Sequence, residues 1–330
     1  MVRKMCAVLC FAILVAACGG SSSSTKSSSS TPSWKQDGGL GSASRPIQMG
    51  IGRISLFMYA YKVPDILAKE GIHLDLVDMP NTPQRLQALL GGNLDVTFAG
   101  WVDTIKLASQ GAKIVALSDV ARKGAEMVAG TNSGINGPGD WKGKTVGVSK
   151  GSMQEMVALY ELKKVNLAPS SVNLLQVGFA DMPVALQKKD IDAFVGTEPY
   201  NAIAVSAGFG RSMGPYYNDV PWGDLNANMV APSDLVASNP ELCQKLVDAM
   251  TEATKQGNAN PTASMQSAVT DFKVPATAVN LVFSNVTWTT DLDWKKIQGF
   301  IDAEYDLKYI TTKPKIDQFV SSKFAKVVDK

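Results

Sequence analysis

The chain has 330 residues, 45% of them hydrophobic and 19% charged, and a formal net charge of +2. That length accommodates two domains of roughly 100–200 residues each, and the composition is that of a globular protein rather than a disordered or fibrous one. So small a charge imbalance gives no electrostatic reason for a nucleic-acid partner or a broad membrane-surface patch.

The chain opens with Val2-Arg3-Lys4, an apolar run from Met5 to Ala17, and Cys18. Spanning a bilayer takes about 20 apolar residues, so the run reads as a secretory signal, residues 1–17. Its end, Leu14-Val15-Ala16-Ala17-Cys18-Gly19, resembles a bacterial lipobox. The resemblance implies cleavage before Cys18 and lipidation of its sulfur. An ordinary signal peptide cleaved after Ala17 is the alternative. Each buried methylene adds about 0.8 kcal/mol and two or three acyl chains anchor stably, so the mature protein is expected to be exported and tethered. Without Arg3 and Lys4, 30 basic side chains face 30 acidic ones. Cys6 and Cys10 leave with the signal and Cys18 is consumed, so Cys243 has no disulfide partner. It falls in the stripe Leu242, Cys243, Leu246, Val247, Met250 and is expected to be a buried small hydrophobe.

Residues 18–44 are Ser/Gly-rich with few apolar side chains and are expected to form a flexible tether. Strand IQMGI follows Arg45-Pro46, then a helical stretch over 57–70, Gly71, and strand IHLDLVDM. Thr82-Pro83 opens a short helix in N-cap order, which ends at Gly91-Gly92 before strands LDVTFAG and KIVALSDVA. From Ala125 the pattern restarts with AEMVAGTN, a strand over 144–148, and a helix opened by the capping-box spacing Ser152-x-x-Glu155. VNLLQVG and IDAFVG complete this second set. The two sets run in step at a shift of 97 residues: ALLGGNLD over ALQKKDID, and MGIGRIS over VGVSKGS. NANMVAP then adds a strand, Ser238-Asn239-Pro240 caps a helix running to Gly257, and Trp294, Ile297, Ile301 and Tyr305 make a helical stripe. These late helices lack a sheet of their own and are expected to pack on the first set. The expected domains are lobe 1 (45–124 plus 228–330) and lobe 2 (125–227).

Strands alternating with helices imply open, mainly parallel α/β sheets. Ligands bind beyond the carboxyl ends of such strands, so the matched loops GRIS, SKGS, AGW and GTEPY are expected to face one another across a cleft that closes by a hinge. AKEGIHLDLV, ALLGGNLDVTFAG, WKGKTVGVSKGS, IDAFVGTEPYNA and NANMVAPSDLVASNPELCQKLVDAM, in that order behind a lipobox and tether, resemble ABC-importer solute-binding proteins of the nitrate/sulfonate/taurine and thiamine-precursor binding family. The resemblance implies the two-lobed type II periplasmic-binding-protein fold. It also implies capture of a small solute outside the cytoplasmic membrane and delivery to permease subunits, with the ATPase acting indirectly. No chemistry on the solute, no cofactor and no metal are implied. A monomer is expected, touching the membrane through its lipid anchor only.

Ser149, Gly151, Ser152 and Met153 belong to the loop that touches ligand in that family, and free N–H groups opening a helix favour an anion. A capping box satisfied by Glu155 is the competing reading. Arg53 and Lys150 hold matched positions and could grip an anionic group, or each could be a solvated loop charge. Ser55 and Gly100 follow from the same loop matching. Trp101 is either a stacking wall or a core aromatic, and Asp103 reads as a charge complementing a helix N-terminus. Thr197, Glu198 and Tyr200 form the acidic-Pro-aromatic turn of the family, with Thr197 where many relatives have Trp. Asn228 sits near the second crossing between lobes. The lone His73 has no partner for a metal or a triad. Arg53, Lys150 and the helix opening favour a small organic anion, sulfonate-like or carboxylate. Trp101 and Glu198 leave open a planar, amine-bearing solute such as a pyrimidine precursor, and an enzyme on the same fold is a further alternative.

Overall fold

A computed structural model describes residues 38–79, 82–214 and 220–330. The signal, Cys18 and most of the expected tether lie outside the described residues. The described chain is folded earlier than the expected start at residue 45. Leu40 is buried in the core of the first sheet, and the Gly41 carbonyl accepts the His73 N–H at 2.7 Å. One apolar side chain is enough to seat this otherwise Gly/Ser-rich segment.

The first set of elements comprises β1 (Ile47–Ile51), a 3₁₀ turn (Ser55–Lys62) leading into α1 (Val63–Ala68), β2 (Leu74–Asp78), α2 (Thr82–Leu90), β3 (Val96–Gly100), α3 (Trp101–Ser109) and β4 (Ile114–Lys123). The second set is β5 (Ala125–Gly130), β6 (Thr145–Val148), α4 (Met153–Lys164), β7 (Asn173–Gln176), α5 (Met182–Lys188), β8 (Ala193–Thr197), α6 (Tyr200–Ser206) and β9 (Gly210–Ser212). After these come β10 (Leu225–Pro232), α7 (Ser233–Ser238), α8 (Pro240–Ala259), α9 (Pro261–Thr270), α10 (Val279–Asn285), β11 (Val286–Thr287) and α11 (Trp294–Asp306).

One sheet has the order β11-β4-β10-β3-β1-β2 and the other β7-β6-β8-β5-β9. Each is mixed rather than mainly parallel. β1 pairs parallel with β2 and β3, and β6 with β7 and β8, whereas β10 and β5 enter antiparallel beside β3 and β8. Both antiparallel strands have just come from the other set of elements, which sets their direction.

The 97-residue echo is structural. Gly50 pairs with Thr97 between β1 and β3, and Gly147 with Phe194 between β6 and β8. The Gln48 N–H donates to the Asp95 carboxylate at 2.8 Å, and the Thr145 N–H to Asp192 at 2.9 Å. Both glycines mark close approach: a Cβ would meet Leu94 at 2.4 Å on Gly50 and Ile191 at 2.9 Å on Gly147.

Helix α8 packs on α1, the 3₁₀ turn and β4, with Cys243 fully buried and its thiol pushed up to about 12 by desolvation. Helix α11 packs on α3 of the first set, as expected, and also reaches elements of the second set. Its Ile297, Phe300 and Ile301 share a core with Trp101, Ile105, Trp141, Leu162 and Trp222, apart from the core built around β1 and α8. Ile297 and Ile301 of the expected stripe are buried, but the buried face also takes in Phe300 and Glu304 and leaves Tyr305 39% exposed, so the stripe departs at its C-terminal end.

Candidate functional site

A cavity of about 510 Å³ lies where the carboxyl ends of the strands of both sheets meet. Ile54, Leu56 and Phe57 after β1, Thr82, Pro83 and Arg85 after β2, and Gly100, Val102 and Asp103 after β3 form one wall. The opposite wall is residues 149–154 after β6, Gln176 and residues 178–181 around the end of β7, and Thr197 and Tyr200 after β8. Asn226 and Ala227 of β10 close the back. A wider, more open groove of about 1050 Å³ runs along α11 and the C-terminal segment, but it has none of the strand-end loops that build sites in sheets of this kind.

Of the residues expected at the site, Gly100, Ser149, Gly151, Ser152, Met153, Thr197 and Tyr200 line the cavity, and so does Lys150. Ser152 caps α4, accepting the Glu155 N–H at 3.4 Å. The Glu155 carboxylate accepts the Gly151 N–H at 2.7 Å, and the Gln176 side-chain oxygen accepts the Lys150 N–H at 2.6 Å. The capping-box reading is therefore realised, shifted by one residue.

Five expected residues do not line it. Arg53 is exposed: its Nε lies 4.0 Å from Asp78 and its guanidinium 5.6 Å over the Tyr61 ring, because Asp78 ends the parallel neighbour of β1 and draws the charge outward. Ser55 is fully buried beneath the wall, its hydroxyl without a hydrogen-bond partner among the described residues. Trp101 is the first residue of α3 and turns inward, donating its indole N–H to Asp119 at 2.7 Å, so the core reading holds and the stacking wall does not. Glu198 is fully buried and accepts from the Ala202 N–H at 3.1 Å and the Asn285 side chain at 2.8 Å. Burial pushes its carboxyl up to about 7, opposed by those two hydrogen bonds and increased by the nearby Glu126. Asn228 is also fully buried, accepting from the Thr104 hydroxyl at 3.1 Å.

Sequence reasoning missed Arg85. It is 2% exposed, and its guanidinium donates to Phe98 O at 3.1 Å, to Thr82 Oγ1 at 2.9 Å and to Met79 O. Burial lowers its pKa to about 10, opposed by Asp103 and Asp78. Asp103, read from sequence as a helix-end charge, stands half-buried on the same wall. Desolvation raises it to about 6, against the pull of Arg85 and Lys106. A usable signal existed: the loop opening at Thr82-Pro83 occupies in the first set the place that residues 178–181 occupy in the second. The wall thus offers a cation, a carboxylate, amides and the aromatic faces of Phe57, Phe179 and Tyr200, a set suited to holding a small polar organic molecule.

The sequence profile of the NMT1-like family matches residues 55–270. A binding protein of Brucella abortus is 26% identical over 217 residues, 62% of this chain and 64% of that one. This chain therefore spans less than two thirds of that relative. An aliphatic sulfonates-binding protein of Escherichia coli is 27% identical over 171 residues, 51% of this chain and 54% of its own. In structure, the periplasmic aliphatic sulphonate binding protein of Escherichia coli superposes with a TM-score of 0.73 at 21% identity, covering 84% of this chain and 98% of that one. The fold is that of the periplasmic binding proteins.

Proposed function

The chain belongs to the NMT1-like family, and from that premise we propose that it is the extracytoplasmic solute-binding component of an ABC importer. It captures a small organic anion, sulfonate-like or carboxylate, between two lobes built on the two sheets, and hands it to permease subunits unchanged. The observation that carries this reading is the cavity of about 510 Å³ walled by strand-end loops of both sheets, with Arg85 on one side and the opening of α4 on the other. The relatives named for sulfonate binding support the solute class. We further propose that the lobes divide at residues 124–125 and near residue 227, and that Cys18 carries the lipid that tethers the protein outside the cytoplasmic membrane.

The test is a thermal-shift panel of propane-1-sulfonate, benzoate, nitrate and an aminopyrimidine, with each compound recovered and checked for chemical change. An anion present at about 1,000 times its dissociation constant stabilises by roughly 4 kcal/mol. A shift with the pyrimidine and none with the organic anions refutes the solute class, and a converted compound refutes the transport role.

A further inference from the structure

We propose that Asp103 is a specificity-determining residue that receives a hydrogen-bond-donating nitrogen of the solute, so that the preferred solute carries an N–H donor as well as an anionic group. This inference rests on the solute-binding reading of the cavity.

The groups that would welcome an anion are largely committed. Arg85 already donates to Phe98 O, Met79 O and Thr82 Oγ1, leaving only part of its fork of donors. On the facing wall the Gly151 N–H is closed by the carboxylate of Glu155, which the Tyr309 hydroxyl holds in place at 2.6 Å. The Lys150 N–H is closed by Gln176.

Asp103 is the reverse case. It lines the cavity, half-buried, and accepts no hydrogen bond from any described residue; the charges it feels are Arg85 and Lys106. No ion pair within 4.0 Å joins it to Arg85 among the described residues, so room is left between them. A Cβ on Gly100 would sit 3.1 Å from Asp103 Oδ2, so the bare glycine leaves the carboxylate its place at the wall. The start of α3 favours a negative charge at this position. Near it, Glu304 is fully buried with neither carboxylate oxygen hydrogen-bonded among the described residues. Burial and the charge of Asp103 both keep Glu304 protonated, and Glu304 donates nothing to Asp103. A solute that displaces water from this carboxylate without donating to it leaves a desolvated acceptor, so the site discriminates strongly against ligands lacking the N–H.

Calorimetry on the full chain with matched probes tests this: 3-aminopropane-1-sulfonate against propane-1-sulfonate, and 4-(aminomethyl)benzoate against 4-methylbenzoate. The aminated member of at least one pair is expected to bind at least about tenfold tighter, the range of a hydrogen bond to a charged group. D103N is expected to erase that preference, the aminated probe losing at least about tenfold in affinity relative to its unaminated partner. Equal or tighter binding of the unaminated probes overturns the inference and leaves the solute-binding reading standing. A preference that survives D103N also overturns it. If no probe of either kind binds, both fall. Should D103N fail to fold, the preference of the unaltered chain decides alone.

Discussion

Asn285 donates its side-chain amide to Glu198 Oε1 at 2.8 Å, while its own carbonyl accepts the Gly124 N–H at 2.8 Å. Gly124 is the residue between β4 and β5, and its carbonyl accepts the Glu198 N–H at 2.7 Å and the Asn201 side chain at 3.3 Å. The crossing from one sheet to the other is therefore held from both sides. Glu198 forms no ion pair among the described residues, so its carboxylate depends on two hydrogen bonds alone. Asn285→Ala leaves Glu198 Oε1 without a donor, while the Ala202 N–H still holds Oε2. The expected loss is about 1–3 kcal/mol, the cost of leaving a buried polar group unsatisfied, read from urea unfolding at pH 8. An unchanged urea midpoint refutes this.

Glu304 makes stability depend on pH. Its ordinary value of 4.5 rises to about 9 in the folded chain, chiefly through desolvation. The folded protein keeps the proton that the unfolded chain gives up, so the contribution is fully present below pH 4.5 and is lost as pH rises toward 9. Between pH 4.5 and 7 the loss is about 3 kcal/mol. Glu304→Leu should flatten unfolding free energy over that window and stabilise the protein at pH 7. A slope identical to that of the unaltered chain contradicts the assignment.

Arg53 and Trp101 separate surface and core from site. Arg53→Ala removes an exposed pair of 4.0 Å, worth no more than about 1 kcal/mol, and should leave solute affinity unchanged. Trp101→Phe removes the donor to Asp119 and should lower stability by about 1–3 kcal/mol, again without altering affinity. Calorimetric titration beside thermal melts distinguishes the two effects. Weakened binding in either variant would return that residue to the cavity.

Much of the fold was legible because its signals are local. The segments matched at the 97-residue shift, the Ser152–Glu155 cap and the continuous apolar runs of β3 and β8 are each written in a few neighbouring residues. The site was legible only in part, because side-chain direction depends on distant partners. Arg85 looks like an ordinary surface charge of TPQRLQALL until Phe98 O, Met79 O and Thr82 are seen to draw it inward. Trp101 is decided by Asp119, and Glu198 by Asn285, 87 positions away. In helix α11 the buried Ile297 and Ile301 were legible, whereas Phe300, which packs on Trp222, and the outward turn of Tyr305 were not.

The aspartate that ties β1 to the turn before β3 has a twin tying β6 to the turn before β8, with bonds of 2.8 and 2.9 Å across the same 47-residue interval. One molecule therefore carries its own replicate, with the same residue and donor placed in different surroundings. Asp95→Ala has its internal control in Asp192→Ala. Each should cost about 1.5–3 kcal/mol in unfolding experiments, as expected for a hydrogen bond to a charged group. With the local geometry held constant, any gap between the two losses measures what the rest of each half contributes to a single strand staple.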